Sequence, residues 1–166
     1  MQSPRSPTLR QAERTVELEL DVVAYDSAMA SVLIEEIQAD LAQRYGGPDE
    51  TPVDPADFAP PSGLFVVARL GCIVIGCAGL RRHDEGVVEL KRMFVISQHR
   101  RRGLARLLLA QLEDRARAAG YLEIVLETGT AQPEAITLYE SAGYTPRTPF
   151  GYYAGEEMSR TYGKAL

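Results

Sequence analysis

Cysteine and histidine are scarce in this chain. Cys72 and Cys77 are its only cysteines, too few and too close together for a disulfide framework, and no clustered histidines join them in a zinc-binding pattern. They read as ordinary thiols of a reducing compartment. His83 and His99 are the only histidines, and neither is set with a Ser or Cys in a way that suggests a catalytic triad. No run approaches the roughly 20 apolar residues of a membrane span, and the N-terminus lacks the apolar core of a secretory signal. The expectation is a soluble cytoplasmic protein that uses neither membrane nor metal. A broad positive field is also missing: the net charge is −5, which argues against a nucleic-acid partner, since duplex binding requires wide displacement of counterions. No Gly-x-x-x-x-Gly-Lys-Ser/Thr sequence occurs, so a P-loop is not indicated.

What is present is enough apolar side chain for one core, 45% of 166 residues. Residues 1 to 14 mix proline, serine and charge without periodicity and read as a flexible arm, leaving 15 to 166 as a single domain. Val16, Leu18, Leu20 and Val22 alternate with Glu17, Glu19 and Asp21, the period of a half-buried strand. Beyond the cap residues Asp26 and Ser27, helical spacing links Met29, Val32, Leu33, Ile37 and Leu41 until Gly46 and Gly47. Residues 46 to 63 hold five of the ten prolines and read as a surface loop with one short helical turn.

Leu64 to Arg69, Ile73 to Leu80 and Val87 to Ile96 are strand-like runs separated by turn residues, which predicts an antiparallel meander. An apolar stripe of Leu104, Leu107, Leu108, Leu112, Ala116 and Ala119 then predicts a helix closed by Gly120. Tyr121 to Glu127 follows as a strand, and a strand-helix-strand order returns in parallel. Pro133 to Ser141 reads as a short helix ended by Gly143, and the aromatic tail predicts a closing pair of strands around Phe150 to Gly155.

The most informative segment is Val95-Ile96-Ser97-Gln98-His99-Arg100-Arg101-Arg102-Gly103-Leu104-Ala105, which joins a strand end to an amphipathic helix. A helix N-terminus offers unpaired N–H groups and a positive dipole, and Gly103 and Ala105 let an anion such as a diphosphate approach the main chain. Arg100, Arg101, Arg102 and Arg106 add charge there. The competing reading is a solvated basic run ahead of a helix.

Arg100-x-x-Gly103-x-Ala105 resembles motif A of the GNAT superfamily of N-acetyltransferases, whose Gln/Arg-x-x-Gly-x-Gly/Ala loop holds the pyrophosphate of acetyl-coenzyme A. The interval from Val95 to Arg100 resembles the family's, and Gln132, Ala135, Tyr139, Gly143 and Tyr144 resemble its motif B. Glu89-Leu-Lys-Arg-Met-Phe-Val and Leu126-Glu-Thr-Gly resemble a large bacterial subgroup. The chain departs from the commoner residues at Gln132, often Asn, and at Ala105, more often Gly.

The resemblance implies an α/β fold of mixed α+β character: a central, mostly antiparallel twisted sheet of about six or seven strands flanked by helices. A splayed parallel pair holds the cofactor. It implies acetyl transfer from acetyl-CoA, as co-substrate, to a primary amine of a small molecule or peptide, by direct attack in a ternary complex. A non-catalytic acyl-CoA sensor is the alternative, and a homodimer is compatible with either. The implied cofactor-binding residues are Met93, Phe94, Val95, Arg100, Arg101, Arg102, Gly103, Leu104, Ala105, Arg106 and Gln132, with an amide near Phe94 polarising the thioester carbonyl.

An alkylamine with a pKa near 10.4 must lose a proton before attack. Strict alternation places Glu89 on one strand face with Lys91, Met93 and Val95, and the family's histone-modifying members carry a glutamate at this spacing before the strand-end valine. Glu89 is therefore the expected base, against a strand glutamate merely paired or solvated; Glu127 is held in reserve. The motif B likeness makes Tyr139 the expected acid for the departing thiolate, against a packed core aromatic. Lys91 or Arg92 is a further candidate for the acceptor pocket, against strand charges that are only solvated or paired, and Phe150, Tyr152 and Tyr153 are its expected walls, against an aromatic hairpin packed on the sheet.

Overall fold

The computed structural model describes residues 17–166, so the expected arm over 1 to 14, and Val16, lie outside the described residues. In chain order the elements are β1 (Leu18–Val23), α1 (Ala28–Tyr45), β2 (Gly63–Leu70), β3 (Ile73–Asp84), β4 (Val87–Val95), α2 (Leu104–Ala118), β5 (Glu123–Gly129), α3 (Pro133–Ser141), β6 (Thr145–Pro146) and β7 (Ser159–Ala165). The strands form one sheet in the order β1-β2-β3-β4-β5-β7-β6. All neighbours are antiparallel except β4 and β5, joined by the α2 crossover. This is the mixed, mostly antiparallel sheet that the sequence led us to expect.

Two apolar cores lie on opposite sides of the sheet. One packs Val88, Leu90, Ile124 and Leu126 against Leu108, Leu109 and Leu112 of α2 and Tyr139 of α3. The other packs Phe65, Val67 and Cys77 against Ala30, Leu33 and Ile37 of α1 and against Phe58, from a 3-10 turn over Pro55–Phe58. That turn is the helical turn expected in the proline-rich loop.

Local chemistry sets the helix ends. Ser27 caps α1, its hydroxyl accepting from the Ala30 N–H at 3.3 Å, and Gly46 closes it at φ 82°, a left-handed conformation that glycine adopts without a Cβ penalty. The sequence stripe on α1 was partly out of phase: Met29 and Val32 are about half exposed, because Ala30 rather than these larger residues lies against the sheet. The tail forms its strand pair at β6 and β7, with Phe150 to Gly155 in the connecting loop.

Candidate active site

The site begins where β4 and β5 part. Their pairing runs from Val87↔Glu123 to Leu90↔Leu126 and stops, although β4 continues to Val95 and β5 to Gly129. The parting coincides with a bulge in β4: Cys77 faces Phe94 and Gly79 faces Lys91, so Ala78 alone stands opposite both Arg92 and Met93. Arg92 takes φ 57°, an uncommon conformation for a residue with a Cβ. Beyond it alternation resumes one residue out of step, with Met93 on the α2 side and Phe94 on the α1 side. The expected shared face of Glu89, Lys91, Met93 and Val95 is therefore wrong: the bulge separates Met93 from the two charged residues.

A cavity of about 560 Å3 occupies the parting, and among its lining residues are Glu89, Lys91, Arg92, Met93, Phe94, Glu127, Gln132, Tyr139 and Tyr153. The end of α1 closes one side. Arg44 reaches across to the carbonyl of Ala131 at 2.9 Å and to Glu134 at 2.6 Å, and the Tyr45 hydroxyl donates to Gln132 Oε1 at 3.2 Å. A Cβ on Gly129 would lie 2.0 Å from the Tyr45 oxygen, so glycine is what lets α1 and β5 meet here.

Glu89 is buried, and its Oε2 accepts from Arg81 Nε at 2.6 Å, its direct antiparallel neighbour on β3. Glu127, on β5, has no ion-pair partner among the described residues, and its Oε1 is buried without a donor. Burial pushes its carboxyl above the usual range, although Lys91 opposes the shift. A carboxylate in that condition is the better proton acceptor.

Asp49, from the loop after α1, binds Arg92 Nη1 at 2.6 Å and lies 3.9 Å from Lys91 Nζ. Burial opposes its ionisation, but the Thr51 hydroxyl, then Lys91 and Arg92, outweigh it and hold the carboxyl below the usual range. Burial pulls Lys91 below the usual lysine range, against the attraction of Asp49 and Glu89. Tyr139 is buried among the α2-side core residues, its hydroxyl 3.9 Å from Met93 Sδ, and burial raises its phenol, which stays protonated at neutral pH.

Before α2 the chain turns through left-handed Arg101, φ 60°, and Gly103, φ 75°. The first helical hydrogen bond runs from Leu107 N–H to the Gly103 carbonyl, which leaves the amides of Leu104, Ala105 and Arg106 without helical acceptors. Nothing lies within 4 Å of a Cβ built on Gly103, so the space before these amides is open. Arg101 and Arg102 are exposed, whereas Arg100 folds back, giving Nε–H to the Val95 carbonyl at 2.8 Å and covering the Phe94 ring. Arg106 turns to Ser141 on α3.

Of the residues singled out from the sequence, the cavity gathers Glu89, Met93, Phe94, Gln132 and Tyr139, but Val95 and Arg100 to Arg106 lie outside it on the approach from α2. Among the expected aromatic walls only Tyr153 lines it. Phe150 packs on His83 with ring centroids 4.4 Å apart, and Tyr152 is exposed beside Glu50. Sequence reasoning missed Asp49, Arg81 and Tyr45. Simple counting did not reach Arg81, because a register shift between Arg82 and Asp84 is what sets it opposite Glu89, and Asp49 carried no signal. Among the described residues no group of three His, Cys, Asp or Glu side chains could hold a metal ion, and no helix is long and apolar enough to cross a membrane.

Comparison with known proteins agrees with this geometry. Residues 32–144 match the model of the acetyltransferase (GNAT) family. An IAA acetyltransferase of Azospirillum brasilense is 38% identical over 135 residues, covering 81% of this chain and 88% of that one. Among solved structures, a Klebsiella pneumoniae protein assigned as an acyl-CoA N-acyltransferase superposes with a TM-score of 0.78 at 28% identity, covering 92% of this chain and 99% of that one. A GNAT acetyltransferase of Elizabethkingia anophelis, solved with acetyl-CoA bound, shares the fold at a TM-score of 0.65 and 17% identity over 90% of this chain and 98% of that one. With its sheet parted after Leu90 and its open helix N-terminus beside the parting, the chain belongs to the GNAT family of acetyltransferases.

Proposed function

We propose that this protein transfers the acetyl group of acetyl-CoA to a primary amine of a small molecule or peptide, by direct attack within a ternary complex. The observation that carries the reading is the parting of β4 from β5 beyond Leu90, in a chain whose α2 N-terminus leaves three amides without helical acceptors and whose Glu127 Oε1 has no donor. The catalytic domain is taken as residues 15 to 166, with 1 to 14 an arm outside it, acting in the cytoplasm.

The residues fit the co-substrate. The amides of Leu104, Ala105 and Arg106, with the dipole of α2 and the side chains of Arg101 and Arg102, would hold a diphosphate. Arg100 sets the loop by its bond to the Val95 carbonyl. Main-chain groups of Met93, Phe94 and Val95, released from β5, would take the pantetheine arm as an added strand, with Gln132 on the opposite side. The co-substrate supplies an acyl carbon open to attack and a thiolate leaving group.

In transfer, the amine nitrogen forms the C–N bond as the C–S bond breaks, and the electron pair leaves with sulfur. An ammonium acceptor gives up two protons in all: one ends on the thiol and one reaches solvent. Glu127 takes the first, because it faces no competing cation bond, whereas Glu89 is engaged by Arg81 and positions the wall beside it. Tyr139, kept protonated by burial, donates a hydrogen bond to the departing sulfur.

The test is linkage. Acetyl-CoA should raise the melting temperature, adding about 2.7 kcal/mol of stability at one hundred times its dissociation constant, and Gly103→Glu should abolish the shift by placing a carboxylate before the free amides. An intact protein that shows no shift at millimolar acetyl-CoA would sink the proposal.

A further inference from the structure

Several charged groups at the acceptor end of the cavity are not fully hydrogen-bonded. In a regular strand, consecutive side chains point to opposite faces, yet Lys91 and Arg92 both reach Asp49. The bulge makes this possible: Arg92, at φ 57°, is the extra residue and sits on the same wall as Lys91. An uncommon backbone conformation thus serves to bring two adjacent cations together, with side chains only 9% and 4% exposed.

One carboxylate serves them both. Oδ1 of Asp49 accepts from the Thr51 amide and hydroxyl, and Oδ2 accepts from Arg92 Nη1. Lys91 Nζ, at 3.9 Å, is beyond hydrogen-bond distance, and Arg92 Nε–H is buried with no acceptor among the described residues. Across the cavity the deficit reverses. Glu127 Oε1 is buried with no donor, whereas Glu89 is held by Arg81. Buried polar groups are as a rule satisfied, and those left open in a cavity mark what a ligand must bring. A plain alkylammonium would satisfy Glu127 but would leave the Lys91 ammonium and the Arg92 Nε–H without an acceptor. A lone anion would meet Glu127.

We infer that the acceptor is a free amino acid, whose ammonium is received by Glu127 and whose carboxylate is received by Lys91 and the Nε–H of Arg92. This rests on the acetyltransferase reading and narrows it to one substrate class. A peptide N-terminus, whose carboxylate is remote, and simple amines are the classes excluded.

The experiment measures coenzyme A thiol release with matched series of free amino acids (α, β and γ), their amides and the corresponding decarboxylated amines. The expected result is a kcat/KM for the best amino acid at least about 10²-fold above its amide and its amine, with most of the difference in KM, since the carboxylate contacts are made in ground and transition states alike. Lys91→Met, close in length and uncharged, should shrink that ratio by about tenfold. Amides or simple amines used as well as the amino acids would overturn the inference, as would a well-folded Lys91→Met protein with an unchanged ratio. Should that variant not fold, the wild-type series decides alone. The acetyl-CoA melting shift, run in parallel, separates the two failures: no shift removes the acetyltransferase reading, and this one with it, whereas a normal shift with a preference for uncharged neighbours removes only the amino-acid assignment.

Discussion

The walls that β4 and β5 give to the cavity differ in how their charges are met. On β4, Glu89 has Arg81 at 2.6 Å and Arg92 has Asp49 at 2.6 Å, so these two charges were desolvated together with a partner, and Lys91 lies 3.9 Å from the same Asp49. On β5, Glu127 was desolvated with none. A paired buried charge is structural unless disturbed, whereas an unpaired one is expensive to keep and ready to exchange a proton. The family likeness pointed to Glu89 through spacing; the environments favour Glu127.

The largest effect should come from breaking the paired wall. Arg81→Met leaves the Glu89 carboxylate buried and alone, and should destabilise the protein by about 3 to 5 kcal/mol in denaturant unfolding, while Glu89→Gln, which keeps an acceptor for Arg81, should cost much less. Equal losses would mean that the pair is not the unit that matters. Next in size is turnover: Glu127→Gln should lower kcat by about 10²-fold or more with little change in acetyl-CoA affinity, and raising the pH should restore part of it because solution then supplies free amine. If Glu89→Gln shows that behaviour and Glu127→Gln does not, the base is Glu89 and the contrast between the walls has been misread.

The smallest effect is in stability against pH, and its sign differs between the walls. Asp49 titrates below its ordinary value of 3.8 when folded, so its stabilising contribution is present above that value and is lost as pH falls through the folded pKa. Glu127 titrates above its ordinary 4.5, so it favours the folded state fully below that value, and this preference is lost as pH rises through the folded pKa. At neutral pH Asp49→Asn should therefore destabilise and Glu127→Gln should stabilise. Thermal unfolding of both variants from pH 3 to 8 should show each difference from wild type shrinking toward the acid end, and a stability loss in Glu127→Gln at pH 7 would contradict the unpaired state of that carboxylate.

The sequence made the scaffold legible where one local rule dominates. The helical stripe from Leu104 to Ala116, the glycine closing α1 and the turns between β2, β3 and β4 each follow from periodicity or from a residue with special φ and ψ preferences. The site was less legible because it depends on exceptions. Nothing in Leu90-Lys91-Arg92-Met93-Phe94 marks a bulge, since the residue at positive φ is an arginine and not a glycine. Asp49 sits in a proline-rich loop with no period to read, and only the tertiary fold brings it to Arg92. Phe150 and Tyr152 looked like pocket walls because they are aromatic and near Tyr153, but a loop does not alternate its faces predictably.

The bulge has a consequence for insertion and deletion. Without Arg92, the order Val88, Leu90, Met93 on the α2 side and Glu89, Lys91, Phe94 on the α1 side would be that of an uninterrupted strand. Arg92 is thus a surplus residue that neither apolar core needs, and a chain shortened by this one position would keep both packings while losing a cation from the cavity. Removal of Lys91 instead would let Arg92 take its place with the same alternation, whereas removal of Glu89, Leu90 or Met93 would move a neighbour to the wrong core. Tolerance of shortening along β4 should therefore be confined to Lys91 and Arg92, the two residues that face Asp49.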